Sequence, residues 1–293
     1  MSKSPKRPVV SDGGMDSAYQ VPAEVLGEHP SGELFGSYIT AKDGETTTGI
    51  PHRSLIQEED GIEETVSQLR AALIRHHASP KMIARDRRKI MNLRRQGYPI
   101  SDAGLHRFPK VDNTQKGNLA EVFLAEYLIA TTNADLPVYR FHENTNPDES
   151  MKGDDVLAFD FTSQRPRIIV GEAKFRKKPD KKSVEDIVSG LVRSHQIGLP
   201  VSLVFVEDTL YKYNKDELAD RISNCSLQMA EGKLDLYYIG LLLSTRDSKI
   251  KVDQHTDNKL RSLVMISLGM DDPEKLLRYC FEKIEEEAYA DPD

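Results

Sequence analysis

A chain of 293 residues with a formal net charge of -7 does not suit a protein that coats nucleic acid non-specifically, because such binding depends on many phosphate-neutralising Lys and Arg side chains. Two cysteines, Cys225 and Cys280, are too few for a disulfide framework and lie outside any zinc-ligand spacing, which agrees with a reducing cytoplasm. No apolar run approaches the roughly 18–20 residues that span a bilayer, and the first residues lack the apolar stretch of a secretion signal, so we expect a soluble cytoplasmic protein without membrane contact.

The first 111 residues divide into two predicted parts. Residues 1–60 are rich in Gly, Ser, Pro and acidic side chains, which predicts a largely irregular lead segment. Residues 61–111 predict a helical hairpin, because apolar residues recur at helical spacing over residues 63–77. Ser79-Pro80 is then typical of the start of a second helix, which we expect to run to about residue 96.

The second arm of this hairpin concentrates positive charge. It carries seven Lys and Arg residues, Arg87 and Arg88 among them, against the single acid Asp86. Within an acidic chain, such a helix is a candidate surface for phosphate groups or for a partner. A solvated helix face whose long side chains cover its neighbour explains the same pattern equally well. We retain Arg87 and Arg88 as candidate DNA contacts.

Residues 112–293 predict an α/β domain that begins with a mainly buried helix over residues 116–130. Apolar residues surround most of this helix, and Glu121 shares a face with Leu124 and Leu128. A carboxylate on an apolar face needs a partner. A metal ion or a catalytic lysine would serve, and so would a hydrogen-bonded backbone group at the helix start, at the favourable end of the helix dipole. Glu121 is therefore a candidate site residue.

A β-hairpin is predicted next. Two runs that are β-branched or aromatic, residues 155–161 and 167–175, flank a turn-forming cluster at residues 163–166. Beyond it we expect a mixed central sheet flanked by helices. Its predicted elements are a helix over residues 183–196, strands over residues 201–206, 234–243 and 263–268, and a closing helix over residues 273–288.

Three charged side chains converge on one face of this hairpin. With the turn centred between residues 164 and 165, Asp155 lies opposite Lys174. Glu172 lies on the same face, because side chains alternate along a strand, and is diagonal to Asp155 at roughly 7–8 Å between backbones. The neighbouring Asp154 points to the opposite face.

Two hard oxygen ligands from different strands suit Mg²⁺, which prefers one or two carboxylates together with waters and substrate phosphate oxygens. The adjacent Lys174 is then placed to orient or deprotonate the attacking water. The alternative is an ordinary strand that carries a Glu and a Lys on its wet face. The buried stretch Ile168-Ile169-Val170 leads straight into the charges, and this context favours a site.

A basic segment directly follows the predicted site. Arg176, Lys177 and Lys178 open this segment, which runs to residue 182. These side chains are placed to guide a phosphate backbone toward a metal ion. A solvated loop with no ligand explains the same residues equally well.

Three spaced motifs carry a resemblance to a known family. They are Lys116-Gly117-Asn118-Leu119-Ala120-Glu121, Lys152-Gly153-Asp154-Asp155 and Gly171-Glu172-Ala173-Lys174-Phe175. The order of a helix Glu, an Asp at a strand start and Glu-x-Lys on the next strand resembles the PD-(D/E)xK nuclease superfamily. Together the three motifs resemble the DUF1837 family, the nuclease subunit of Hachiman anti-phage defence systems.

This resemblance implies a restriction-endonuclease-like core, here preceded by an N-terminal helical extension. It implies that Asp155 and Glu172 bind Mg²⁺ or Mn²⁺, that Lys174 acts in catalysis and that Glu121 supports the site. It also implies a helicase partner that holds the nuclease inactive until phage DNA is sensed. The chain contains no Gly-x-x-x-x-Gly-Lys-Ser/Thr loop for nucleotide phosphates, so we expect the motor to be that partner.

The leading hypothesis is thus a metal-dependent DNA endonuclease that serves as the effector of a defence complex. Two alternatives remain open at this point. One is a non-catalytic subunit that binds DNA or a helicase on a nuclease-like scaffold. The other is a restriction or repair nuclease that acts without a helicase. RNA also remains open as a substrate.

Overall fold

The computed structural model describes residues 21–58, 61–99, 105–196 and 198–290. One mixed sheet organises these residues, and its spatial strand order is β1-β2-β6-β5-β4-β3. The inner strands β2, β6, β5 and β4 run parallel, whereas β1 and β3 pair antiparallel at the two edges. The strands are β1 (Ile39–Glu45), β2 (Pro51–Gln57), β3 (Val156–Asp160), β4 (Arg167–Phe175), β5 (Asp235–Thr245) and β6 (Leu263–Met270).

Helices cover both faces of the sheet, which confirms the predicted fold class of a mixed central sheet flanked by helices. None of the described helices combines the length and apolar character that a membrane span requires. A 3-10 turn lies at Arg140–Glu143. The α-helices are α1 (Val21–Leu26), α2 (Glu33–Gly36), α3 (Ile62–His77), α4 (Pro80–Arg95), α5 (Asp112–Thr131), α6 (Lys181–Gln196), α7 (Leu203–Lys212), α8 (Asp216–Ser223), α9 (Cys225–Ala230), α10 (Ser248–His255), α11 (Pro273–Glu282) and α12 (Ile284–Tyr289).

Side-chain alternation along β4 assigns its residues to two separate cores. Ile169 and Ala173 belong to the core that α5 and α3 cover, whereas Ile168 and Val170 belong to the core that α6 covers. Because residues two apart share a face, the even-numbered residue Glu172 points toward α6. The position of the predicted site charges therefore follows from the alternation of the buried strand.

The predicted helical hairpin is confirmed as α3 and α4. The side chain of Ser79 caps α4 by accepting a hydrogen bond from the backbone N–H of Met82 at 3.3 Å, and Pro80 occupies the first helical position. Both residues suit a helix start, since the cap satisfies a free N–H group and proline has none to satisfy. The closing helix is divided at Lys283 into α11 and α12.

The predicted irregular character of residues 1–60 is wrong for residues 39–45 and 51–57, which form β1 and β2. The sequence did not predict these strands because they carry buried polar side chains, and the hydrogen-bond partners of those side chains are distant in the sequence. The buried Arg53 donates to both carboxylate oxygens of Asp43, and the buried His52 lies 2.9 Å from the hydroxyl of Ser267. Residues 1–20, 59 and 60 lie outside the described residues. The division of the chain into domains at residues 60 and 111 stays a prediction.

The predicted strand over residues 201–206 is also wrong, since α7 begins at Leu203. Its valine-rich sequence is typical of a strand, but Leu203, Val206 and Leu210 recur at helical spacing and are buried. Val204, which alternation would bury, is 63 % exposed. The strand that joins the sheet after α6 is therefore β5.

Candidate metal and phosphate site

The register of the β3-β4 hairpin differs from the predicted one. Val156 pairs with Gly171 and Asp160 with Arg167, so Asp155 aligns with Glu172 instead of Lys174. The cause is the carboxylate of Asp160, which accepts hydrogen bonds from the backbone N–H groups of Thr162 and Ser163 at 2.8 and 3.1 Å. Relative to the predicted hairpin, these bonds centre the turn one residue closer to β3. Each β3 residue therefore pairs with the β4 residue two positions earlier than predicted.

A notch lies where β3 begins. Strand β4 continues past Gly171 to Phe175, while β3 starts only at Val156, so the end of β4 has an open edge. The Asp155 carboxylate covers this edge, because its Oδ2 accepts a hydrogen bond from the backbone N–H of Ala173 at 2.9 Å. Asp155 is thereby fixed beside β4 and keeps its other oxygen available to the site.

Glu172 and Lys174 form a close pair on the face of β4 that points to α6. Nζ of Lys174 donates to Oε1 of Glu172 at 2.5 Å and lies 3.8 Å from Oδ2 of Asp155. Burial, followed by the charge of Asp155, raises the pKa of Glu172 to about 7. Burial alone would lower the pKa of Lys174, but the charges of Asp155 and Glu172 outweigh it and raise that pKa.

Glu121 reaches the same notch from α5. Its Oε2 is buried and has no hydrogen-bond partner among the described residues. Burial, followed by the charge of Asp155, raises the pKa of the Glu121 carboxyl well above its usual value. The nearest cation is Arg140, whose Nη1 lies 3.7 Å from Oε2 of Glu121. Glu121 is therefore held next to the other carboxylates without a direct hydrogen bond.

Arg140 is a site residue that the sequence reasoning missed. Its guanidinium donates to the backbone oxygens of Met151, at 2.6 Å, and Asp154, and Nη1 lies 3.9 Å from Oδ1 of Asp155. It thus ties the segment before β3 to the carboxylate cluster. No motif marks this residue, and its only sequence signal is a lone cation between the Glu121 and Asp155 motifs.

Asp154 points away from the notch, as predicted. Its carboxylate accepts hydrogen bonds from the hydroxyl of Ser194 at 2.8 Å and from the backbone N–H of Ser202 at 2.9 Å. Gly153 has a φ of 117°, and a Cβ there would lie 2.6 Å from the Ser202 hydroxyl. Asp154 and Gly153 therefore anchor the chain from which Asp155 projects.

The donor set fits a hard divalent cation. Glu121, Asp155 and Glu172 offer carboxylate oxygens, and a cavity of about 50 Å³ beside Glu121 and Asp155 has room for a few waters. A buried oxygen of Glu121 has no hydrogen-bond partner among the described residues. Burial, followed by repulsion from Asp155, raises the pKa values of Glu121 and Glu172, and a bound cation offsets both effects. Across the described ranges, no three His, Cys, Asp or Glu side chains are already arranged as ligands.

The basic candidates occupy different environments. Arg176 donates to its neighbour's carbonyl, Phe175 O, at 2.9 Å, and Lys177 forms an ion pair with Glu274. Lys178 is exposed.

On α4, the guanidinium of Arg87 donates to the carbonyl oxygen of Ala288 at 3.0 Å, which fastens α4 to the end of α12. Arg88 is exposed on the same helix. Of the two α4 residues retained as DNA contacts, Arg88 therefore presents its charge to solvent, while Arg87 serves the packing of the fold.

Comparison with known proteins finds a family match over most of the chain. The model of the HamA family matches residues 37–284. The chain is 36 % identical over 264 residues to a Hachiman protein HamA from Bacillus cereus, and the match covers 89 % of this chain and 94 % of that protein. The part of this chain that the family model matches begins before β1 and includes every residue of the notch.

Proposed function

This chain belongs to the HamA family, and we propose that it is the metal-dependent DNA nuclease of a Hachiman anti-phage defence system. The observation that carries the proposal is the convergence of three carboxylates and one lysine at the β3-β4 notch: Glu121, Asp155, Glu172 and Lys174. Oxygen ligands for Mg²⁺ beside a fixed cation are the groups that hydrolysis of a phosphodiester uses.

In this proposal Asp155 and Glu172 hold Mg²⁺ or Mn²⁺, and Glu121 adds a third carboxylate from the helix side. A bound divalent ion supplies Lewis-acid charge to the phosphate and lowers the pKa of a water. Arg140 keeps Asp155 in place by binding the backbone on its N-terminal side. The protein's part is thus to hold negatively charged oxygens together in spite of their repulsion.

Lys174 acts in this proposal as a cation and not as a base. Its neighbours Asp155 and Glu172 raise its pKa, so the ammonium form is present at neutral pH. A protonated lysine next to the carboxylates stabilises negative charge that develops on the phosphate and orients the attacking water. Removal of a proton from that water is left to another group.

DNA is the proposed substrate, and its backbone contacts are local because the chain as a whole is acidic. Lys178 follows the notch along the chain, and Arg88 stands on the basic face of α4; both are exposed. Exposed cations of this kind position a phosphate backbone without reading its sequence. Arg176 and Lys177 contribute in the proposal after they exchange their present partners for phosphates.

A helicase partner belongs to the same proposal. Support comes from family membership and from a sequence that has no phosphate-binding nucleotide loop. Strand separation or translocation therefore requires a second chain. In this arrangement the partner restrains cleavage until phage DNA is sensed. A restriction or repair nuclease without a helicase is distinguished by whether an adjacent helicase gene is present and required.

A second candidate function is a non-catalytic subunit that binds DNA or the helicase. The favouring observation is that Lys174 already occupies an oxygen of Glu172 at 2.5 Å, as it would in a scaffold that never binds metal. The two functions differ in what a Glu172→Ala, Lys174→Ala double variant does to phage protection. Protection that survives these changes supports the binding subunit, and its loss supports the nuclease.

The deciding experiment is cleavage of supercoiled plasmid by the purified protein with Mg²⁺, with Mn²⁺ and with EDTA, alone and with the helicase and ATP. We expect cleavage that depends on metal and disappears in the Glu172→Ala, Lys174→Ala variant. The matched control is Glu231→Ala, Lys233→Ala, an exposed pair with the same spacing and an ion pair of 2.8 Å. Cleavage that is equal in both variants, or that persists in EDTA, contradicts the proposal.

A further inference from the structure

Gly190 lies in the middle of α6 directly against the carboxylate of Glu172. A Cβ atom at position 190 would lie 2.7 Å from Cδ, 2.9 Å from Oε1 and 3.0 Å from Oε2 of Glu172. Contacts below 3.0 Å are essentially never made by real Cβ atoms. The Glu172 carboxylate therefore occupies the space in which a side chain at position 190 would lie.

Glycine is otherwise a poor choice at this position. Within a helix it is the least favourable residue apart from proline, because its backbone loses the most freedom on folding. Position 190 is partly buried, has no left-handed backbone angle and lies between well-packed turns. Nothing in the helix itself calls for glycine there, so the contact with Glu172 supplies the reason.

Helix α6 cannot retreat to admit a larger residue. Ile187 and Leu191, on either side of Gly190, are 0 % and 1 % exposed in the core below the sheet. Ser194, one turn further, donates to Asp154 at 2.8 Å, which ties the helix to the chain segment that positions Asp155. The Glu172 carboxylate is by contrast the end of a flexible side chain, so it is the group that moves.

We propose that Gly190 is a positioning residue that sets where the Glu172 carboxylate stands in the site. With a methyl group at position 190, that carboxylate must withdraw by about 0.7 Å to reach ordinary contact at 3.4 Å. Its alignment with Asp155 and its bond to Lys174 both change. The consequence for metal binding rests on the proposed function, whereas the contact between Gly190 and Glu172 does not.

Gly190→Ala tests the inference, with Gly117→Ala as its matched control. Gly117 lies in α5, and a Cβ there meets nothing within 4 Å. In thermal unfolding with EDTA we expect Gly117→Ala to raise the melting temperature, since alanine favours helices. We expect Gly190→Ala to raise it less or to lower it. In a Glu172→Ala background, Gly190→Ala should raise it as Gly117→Ala does.

The metal readout is Mn²⁺ binding measured by isothermal titration calorimetry. We expect a loss of roughly 10- to 100-fold in affinity for Gly190→Ala, because disturbing a group that positions a metal ligand typically costs that much metal affinity, and no loss for Gly117→Ala. In a Glu172→Asp background, whose shorter side chain no longer reaches position 190, Gly190→Ala should have no further effect.

Equal melting shifts for the two alanine variants in the wild-type background would overturn the inference, and so would unchanged Mn²⁺ affinity in Gly190→Ala. A wild-type protein that binds no Mn²⁺ counts against the proposed function alone. The unfolding measurements then still decide whether Gly190 sets the position of Glu172.

Discussion

The ammonium group of Lys174 donates to Oε1 of Glu172 at 2.5 Å, and the two side chains stand two positions apart on one face of β4. A lysine so placed favours the charged form of Glu172, but burial and the charge of Asp155 outweigh it and leave the pKa of Glu172 raised to about 7. It also occupies an oxygen that a metal ion needs. We therefore expect Lys174 to release Glu172 when the site is loaded and to turn its charge to the substrate.

Replacing Lys174 by Gln should abolish cleavage while the fold survives. The amide fills similar space but carries no charge, so negative charge that develops on the phosphate loses its fixed cation. Losses of at least roughly 100-fold are typical when such a group is removed. Single-turnover plasmid cleavage with saturating Mn²⁺ measures the effect. Because Gln no longer competes for Glu172, Mn²⁺ affinity should be retained or increased, and a large fall in affinity would argue that Lys174 has a structural role instead.

Stability in EDTA should depend on pH through Glu172. Its pKa is raised from 4.5 to about 7, so the folded protein holds this proton more tightly than the unfolded chain does. The resulting stabilisation is fully present below pH 4.5 and is lost as the pH rises through 7. Relative to wild type, Glu172→Gln should therefore gain about 2–3 kcal/mol of unfolding free energy between pH 4.5 and 7.5.

Urea unfolding of wild type and Glu172→Gln across that range checks the sign and the size of this change. Only the difference between the two proteins is used, because groups that do not interact with Glu172 titrate equally in both. Saturating Mn²⁺ at pH 7.5 should stabilise the wild type but not Glu172→Gln. A difference that does not vary with pH in EDTA would contradict the raised pKa.

Patterns that are local in sequence predicted much of the fold. The helical hairpin of α3 and α4, the buried helix α5 and the alternation of β4 could all be found because their signals lie within one element. The same alternation predicted that Glu172 and Lys174 share a face and that Asp154 and Asp155 point apart. The identities of the clustered charges followed from these local rules.

The remainder depends on partners that are distant in the chain. Arg53 appears unsuited to a strand until Asp43 and Tyr127 are placed around it, and the hairpin register follows from the cap that Asp160 makes on the turn. Arg140 reaches the site from a segment without a motif. Gly190 is explained only by a carboxylate on another element, 18 residues before it in the chain.

Arg140→Ala should weaken both the fold and the site. The guanidinium hydrogen-bonds to two backbone carbonyls and is 14 % exposed, so we expect a loss of about 2–3 kcal/mol in unfolding free energy. Arg140→Lys keeps the charge but not the forked contact and should recover only part of this loss. Urea unfolding and Mn²⁺ calorimetry on both variants measure the two effects. Full recovery by Lys would assign the role to charge alone.

Substitution of Asp154 should mainly reduce stability, whereas substitution of Asp155 should mainly reduce metal binding. Asp154 is 7 % exposed and accepts hydrogen bonds from Ser194 and Ser202, so Asp154→Ala should lose about 2–4 kcal/mol of unfolding free energy. Asp155→Asn keeps its shape and the bond to the Ala173 N–H, and should lose little stability but most Mn²⁺ affinity. The same two measurements on both variants decide this. If Asp154→Ala alone abolished Mn²⁺ binding in folded protein, the assignment of the ligand would be reversed.

DNA binding should depend on the exposed cations Lys178 and Arg88. The logarithm of the binding constant falls linearly with the logarithm of the salt concentration, and removal of one phosphate-binding cation reduces the magnitude of that slope by about 1. Fluorescence anisotropy of a labelled duplex at several salt concentrations, in EDTA so that no cleavage intervenes, measures that slope for Lys178→Ala and Arg88→Ala. The control is Lys249→Ala, an exposed lysine on α10 that we place outside the DNA path. If Arg88→Ala matched this control while Lys178→Ala did not, the basic face of α4 would be a solvated surface or a partner surface, and only the segment after β4 would guide the substrate to the notch.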